Sequence, residues 1–311
     1  MLHITDSMID AAVAPADAQQ ALLEALRSFG AGRGAMQERI RTEAGGVKVS
    51  TMGAVLPDQG FAGAKVYTTI KGQFDFVILL FSAESGRPLA SLEANAITRL
   101  RTAACSVIAA RRLARPDSRR LALFGAGVQG QAHAMQFSRA FPLEEIRVVD
   151  PYAPADVAAR LEADCGVRVR MTDAAAAVDN ADIVVTASRS TQPLFDGAAL
   201  APGTFVAAIG SSLPGTRELD DTALRRASRI VMDWSPQTLR EAGDLAQAGP
   251  GCLAPDKMAD LAEVVSGLKP GRAGAEEITI YKAVGVGLQD VALAGLAWQR
   301  ITANGQEAVA A

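Results

Sequence analysis

The chain has 311 residues, 49% hydrophobic and 21% charged, an ordinary globular composition long enough for two domains with separate cores. Its net charge of -3 lacks the basic excess of a nucleic-acid binder. No apolar run reaches the roughly 18 residues that suggest a membrane-spanning helix, so neither a membrane nor a nucleic-acid partner is expected. The opening segment, MLHITDSMIDAAV, has neither the cationic start nor the apolar centre of a secretory signal, and the expected location is the cytoplasm. Cys105, Cys165 and Cys252 are far apart with no CxxC pair, and His3 and His133 are the only histidines. No metal site is expected from this set, and acid–base work falls to Lys, Asp, Glu or Tyr. His133 reads as a helix-surface or packing residue.

In chain order, PADAQQALLEALRSF (15–29) has Pro15 in its first turn and an apolar stripe at helical spacing, which predicts a helix. VKVSTMGAVL, GAKVYTTI and DFVILLF then read as strands of an antiparallel sheet, and 95–115 as one helix. Three cations stand out. Lys65 sits inside an apolar strand, with Ala64 and Val66 pointing to the opposite face. Arg101 lies on the other side of its helix from Arg99. Arg39 precedes the β-rich stretch. Arginine grips a carboxylate through two parallel N–H···O bonds, and a desolvated lysine among cations gives up its proton readily. Such a set suits a small amino or imino acid, although for any one of these residues taken alone a solvated surface charge is the commoner reading.

RLALF (120–124), GAGVQG (125–130) and a helical pattern then run as strand, tight turn and helix, the context in which GxGxxG signifies a dinucleotide. Gly125 permits the turn, Gly127 lets backbone approach a pyrophosphate, and Gly130 allows close helix–strand packing. The helix N-terminus offers free N–H groups to the phosphates. Asp150 ends the next strand, IRVVD, where a carboxylate accepts from the ribose hydroxyls of NAD and repels the extra phosphate of NADP. NAD(H) is therefore expected over NADP(H); the alternative makes Asp150 a turn residue before Pro151. Further strands at 167–171, 182–187, 204–210 and 229–234, with helices at 153–164 and 173–181, predict a doubly wound parallel sheet. Asp173 is a candidate N-cap, and GLKPGRAG (267–274) reads as a flexible surface turn.

At ITRLRTAACS, GAGVQGQAH, AIGSSLPGTRELDD and EITIYKAVGVGLQD, in order and nearly end to end, the chain resembles the ornithine cyclodeaminase/mu-crystallin family. The resemblance implies a homodimer of α/β class. A Rossmann domain (116–285) would be inserted in an α+β substrate-binding and dimerisation domain (1–115 plus 286–311). It also implies hydride transfer at the α-carbon of an amino or imino acid. Lys65 matches the family's catalytic lysine and Arg101 the arginine of its RTAA segment, with Thr102 beside it near the cofactor phosphates. Arg39 matches a further carboxylate-binding arginine. Gly127, Val128 and Gln129 match the pyrophosphate loop, and Ala187, Ser188 and Gly210 match segments lining the cofactor. Asp290 matches a position near the nicotinamide, with a helix-start or dimer role as the alternative.

The chain departs from the family pattern in two places. Ser212 stands where cyclodeaminases carry an aspartate, as it does in mu-crystallin-like ketimine reductases, and a serine cannot act as an anionic base. KGQFD, after the lysine strand, is shorter than usual. The expected activity is therefore an NAD(H)-dependent ketimine reductase or amino-acid dehydrogenase. The alternatives are ornithine cyclodeaminase, releasing ammonia and proline, and a non-catalytic NAD(P)H-binding protein.

Overall fold

The computed structural model describes the backbone of residues 1–310 and the side chains of residues 1–303. The chain divides into two compact units, Met1–Ala104 with Val286–Ala311, and Cys105–Gly285.

The first unit opens with β1 (Leu2–Ile4), α1 (Asp6–Ala12) and α2 (Pro15–Gly30), whose Pro15 occupies the first helical turn. Then come β2 (Ala35–Met36), β3 (Ile40–Ala44), β4 (Val47–Leu56), β5 (Phe61–Ile70), β6 (Gln73–Ser82) and β7 (Pro88–Glu93). The sheet runs β1-β7-β6-β5-β4-β2, with β3 on β4. Its ladders are antiparallel except that β1 lies parallel to β7, so the purely antiparallel reading needs this correction. A three-residue strand carries no alternation signal, and β1 is recruited only because its backbone groups find β7.

One face of this sheet is core: Met52, Leu56, Ile78, Leu80, Ala90 and Leu92 are buried. The other face leaves Val47, Val49, Val55 and Val77 between 37% and 45% exposed. α3 (Asn95–Leu113) follows β7, and its Arg99 turns outward to pair with Asp10 while Arg101 is buried.

The second unit alternates as expected for a doubly wound fold. β8 (Arg120–Phe124), α4 (Val128–Ala140), β9 (Glu145–Val149), α5 (Val157–Cys165), β10 (Arg168–Met171), α6 (Ala174–Val178), β11 (Ile183–Thr186) and β12 (Phe205–Ala208) come first. α7 (Asp221–Arg226), β13 (Ala227–Met232), α8 (Ser235–Glu241), α9 (Gly243–Ala246), β14 (Met258–Asp260), α10 (Leu261–Val265) and β15 (Ile278–Lys282) complete it. Among the described residues its eight strands are all parallel, in the order β10-β9-β8-β11-β12-β15-β13-β14. The last strand thus enters the middle of the sheet, between β12 and β13. Asp173 caps α6 by accepting the Ala176 N–H at 2.8 Å. The chain then returns to the first unit in α11 (Gly287–Ala310).

Residues 267–274 are not the loose turn expected from their Gly and Pro content. Arg272 donates to the carbonyls of Leu113 and Glu277 at 2.6 Å and of Gly203 at 3.0 Å. A guanidinium offers five donors in a rigid fork, so one side chain fastens the segment to three places. His133 is fully buried, its ring nitrogens 2.7 Å from the Gln129 carbonyl and 2.9 Å from the Ser106 hydroxyl. Of its two readings, packing stands and the surface role does not.

Candidate active site

In the first unit the strand alternation carries Lys65 to the inward face, beside Met52 on β4 and Ile78 on β6. Its side chain is 2% exposed. The ammonium donates to Asp290 Oδ1 at 2.9 Å and to the Thr98 hydroxyl at 3.3 Å, and lies 5.0 Å from the centre of the Phe76 ring. Asp290, on the first turn of α11, is fully buried and also pairs with Arg101 Nε at 3.4 Å. Arg101 in turn donates to the Gln289 side chain at 3.0 Å. Asp290 Oδ2 has no hydrogen-bond partner among the described residues. The helical spacing that separates Arg101 from Arg99 is what brings the guanidinium to this cluster.

Burial pushes the Lys65 ammonium down to about 8; Asp290 opposes that shift, and the guanidinium charges of Arg101 and Arg39 reinforce it. Arg39 donates through Nε to the Met52 sulfur at 2.9 Å, which ties it to the strand position facing Lys65. Lys65, Arg101 and Asp290 thus form one buried cluster, with Arg39 close enough for its charge to be felt. The Thr102 hydroxyl donates to the Thr98 carbonyl at 2.7 Å, one turn back in the same helix.

A lysine that titrates near neutrality can hold or release a proton during turnover. A reductive reaction that draws a proton from Lys65 is expected to lose rate above about pH 8, and the reverse oxidation to gain rate there. Asp290→Asn removes the charge that holds the ammonium up, so both limbs are expected to move to lower pH. Rate profiles from pH 6 to 10 check this, and a limb that stays in place in the variant contradicts it.

In the second unit the dinucleotide candidates gather at the carboxyl ends of β8, β9, β11 and β12. Gly125 has φ +92°, and a Cβ there would come within 2.6 Å of the Ala187 carbonyl oxygen. A Cβ on Gly130 would lie 1.9 Å from the Gly125 carbonyl oxygen, which explains why only glycine fits the first turn of α4. A Cβ on Gly127 would meet nothing within 4 Å. Gly127 caps α4, so the start of the helix at Val128 and Gln129 borders the open space beside this glycine. This cradle suits a pyrophosphate. Asp150 accepts the Ala126 N–H at 2.8 Å and the Tyr152 N–H at 2.9 Å, which fixes its carboxylate beside the glycine loop.

Glu218 was not singled out by the sequence, yet it organises the other side of this region. Fully buried, it accepts from the Ser188 N–H (2.7 Å), the Ser188 and Thr186 hydroxyls (2.8 Å) and the N–H groups of Gly210 (2.8 Å) and Ser211 (3.0 Å). Burial pushes its carboxyl up, opposed by the Lys282 charge, and Asp244 adds to the rise. Asp244 holds the Glu218 N–H at 2.6 Å and pairs with Lys282 at 2.7 Å. The loops after β11 and β12 are therefore tied to one carboxylate. Gly210 sits in this knot, where a Cβ would come within 2.1 Å of the Ser188 carbonyl oxygen. Ser212 follows, half-buried. The one sequence signal for Glu218 was its place in TRELDD, and nothing local marks it as buried.

The profile of the ornithine cyclodeaminase/mu-crystallin family matches residues 1–305. The chain belongs to this family. It is 34% identical over 223 residues to the ketimine reductase mu-crystallin of Mus musculus, covering 71% of this chain and 68% of that protein. A probable ornithine cyclodeaminase of Bordetella pertussis Tohama I is 60% identical in structure-based comparison, covers 98% of each chain and superposes with a TM-score of 0.96. The Delta(1)-pyrroline-2-carboxylate reductase of Thermococcus litoralis, solved with NADH and L-proline, is 27% identical, covers 98% of each chain and gives a TM-score of 0.92. Within this family, the α/β class with its parallel Rossmann sheet stands as read from the sequence. Among the described residues no helix is long and apolar enough to cross a membrane, and no group of three or more His, Cys, Asp and Glu could hold a metal ion.

Proposed function

We propose that the protein is an NAD(H)-dependent oxidoreductase that transfers hydride at the α-carbon of a small α-imino or α-amino acid. The observation that carries this reading is the buried Lys65–Asp290–Arg101 cluster, a proton-holding lysine beside a carboxylate-binding guanidinium. The first unit would bind substrate and the second the dinucleotide. When bound, the nicotinamide supplies the hydride.

The chain's own residues do the rest. Arg101 and Arg39 hold the substrate carboxylate, which fixes the α-carbon; orientation of this kind lowers a barrier by several kcal/mol. Lys65 gives its proton to the imine nitrogen side in reduction and accepts it in oxidation. Asp290 orients Lys65 and keeps its proton available, and its place in the family pattern near the nicotinamide is compatible with that role. Thr102, Gly125, Gly127, Val128, Gln129 and Gly130 would hold the phosphates, and Ala187, Ser188, Gly210 and Ser212 would border the nicotinamide. The uncovered valine face of β4 and β6 would be buried in a homodimer.

NAD(H) is proposed over NADP(H) because the Asp150 carboxylate sits at the glycine loop, where it would repel a ribose phosphate. Asp150→Ser is expected to narrow the preference for NADH at least about tenfold, roughly 1.4 kcal/mol. Comparing kcat/KM for NADH and NADPH checks this, and an unchanged ratio contradicts it.

The functional test is a panel of imino acids followed by NADH absorbance and by ammonia release together. Oxidation of NADH by one or more imino acids is expected. Ornithine cyclodeamination is the second reading, favoured by the 60% identity to the Bordetella protein. It predicts ammonia from ornithine with no net change in NADH, and that result would displace the first reading.

A further inference from the structure

The first turns of α11 are apolar on every side but for two adjacent residues. Residues 286–295 are all buried, and among them only Gln289 and Asp290 have polar side chains. A Cβ on Gly287 would lie 2.7 Å from the Gly53 carbonyl oxygen, so a glycine lets this turn press against β4 beside Met52. Asp290 has two cations to meet there, Lys65 and Arg101. Gln289 is 1% exposed and carries no charge, and neither packing nor ion pairing accounts for it.

Its amide is half used. Arg101 donates through Nη1 to the Gln289 amide oxygen at 3.0 Å. Arginine has no acceptor, so the oxygen must face it and the amide nitrogen must face away. That Nε2 is buried without a hydrogen-bond partner among the described residues. A buried donor left unmatched destabilises a fold, and an apolar side chain of similar length would avoid the loss. The ion pair beside it is equally unrelaxed. Arg101 Nε lies 3.4 Å from Asp290 Oδ1, yet neither Nε nor Asp290 Oδ2 has a hydrogen-bond partner among the described residues. A guanidinium and a carboxylate this close ordinarily settle into two parallel N–H···O bonds, which would satisfy both groups. Lys65 restrains the carboxylate at Oδ1, and Gln289 restrains the guanidinium at Nη1.

We infer that Gln289 is a positioning residue for Arg101: its amide oxygen keeps the guanidinium from closing on Asp290 and so leaves it able to take a substrate carboxylate. This rests on the hydride-transfer reading above, because that reading puts the substrate carboxylate on Arg101. Without Gln289, the first carboxylate that Arg101 meets is the protein's own, and the substrate must compete with Asp290 for it. The unmatched Nε2 is then the structural cost of placing an acceptor where the guanidinium needs one.

Gln289→Met and Gln289→Leu each remove the amide oxygen and the unmatched donor together. The assay uses NADH and whichever imino acid of the panel the native protein reduces fastest. Both variants are expected to raise KM at least about tenfold, as loss of a hydrogen bond to a charged group does, with kcat within about threefold of native. The split arises because Arg39 and Lys65 remain to orient what has bound. Tm should stay within about 3 °C of native, since the lost hydrogen bond is offset by the lost unmatched donor. In an Arg101→Met background no guanidinium is left to hold, while Asp290 keeps Lys65 at 2.9 Å. There Gln289→Met should change kcat/KM by less than about twofold. An unchanged KM, two changes that simply add, or failure of both single variants to fold overturns the inference while leaving hydride transfer in place. No turnover of any imino acid by the native protein overturns both.

Discussion

Replacing Lys65 with methionine is expected to lower kcat/KM for imino-acid reduction by about 10²–10⁴-fold, the usual contribution of a positioned acid or base. Methionine nearly fills the lysine's volume, and Arg101 remains beside Asp290 at 3.4 Å, so the carboxylate keeps a cation. The variant should therefore fold, and its NADH affinity should stay within about twofold of native, since the dinucleotide candidates other than Thr102 belong to the other unit. Steady-state kinetics with a parallel NADH titration reads both quantities. A variant that keeps more than about a tenth of native kcat/KM removes Lys65 from the chemistry. A comparable loss of NADH binding would mean that the lysine serves the cofactor instead.

The second large effect is expected at Glu218. Glu218→Ala leaves the N–H groups of Ser188, Gly210 and Ser211 without their acceptor, in a region where water does not reach the carboxylate. It also leaves the buried Lys282–Asp244 pair with one fewer neighbouring charge. Breaking a buried charged network in this way costs about 3–5 kcal/mol. At about 2–4 °C per kcal/mol for a domain of this size, Tm should fall by roughly 6–20 °C. Glu218→Gln keeps an acceptor oxygen and should lose less. NADH affinity should weaken in both variants, because the tethered loops carry Ala187, Ser188 and Gly210. A melting temperature within about 2 °C of native in Glu218→Ala would show that the network is dispensable.

These two sites differ in how far the sequence disclosed them. Lys65 was legible because a period of two along VYTTI and its neighbours forces a lysine in an apolar strand to face inward. Arg101 was legible for the same kind of reason, two residues from Arg99 on a helix, and the glycine spacing after RLALF identified the Rossmann turn. What pairs with Lys65 was not legible. Asp290 lies 225 residues away, and a local pattern says nothing about a contact that only the folded chain creates. Glu218 and Lys282 are hidden likewise: a Glu in a Pro- and Gly-bearing loop reads as solvated, and Lys282 ends a strand that slips between β12 and β13 out of chain order. Arg272 reversed the reading of its loop because five donors on one side chain outweigh the freedom that Gly and Pro suggest.

Isotope transfer tests the central claim most directly. The protein is incubated with piperideine-2-carboxylate or another imino acid that it reduces, using NADH deuterated at C4 on one face and then on the other. The expected product carries one deuterium at its α-carbon from one of the two cofactors and none from the other, read by mass spectrometry and proton NMR. An amino acid formed without label from either cofactor, or no amino acid formed from any member of the panel, would contradict hydride transfer at the α-carbon.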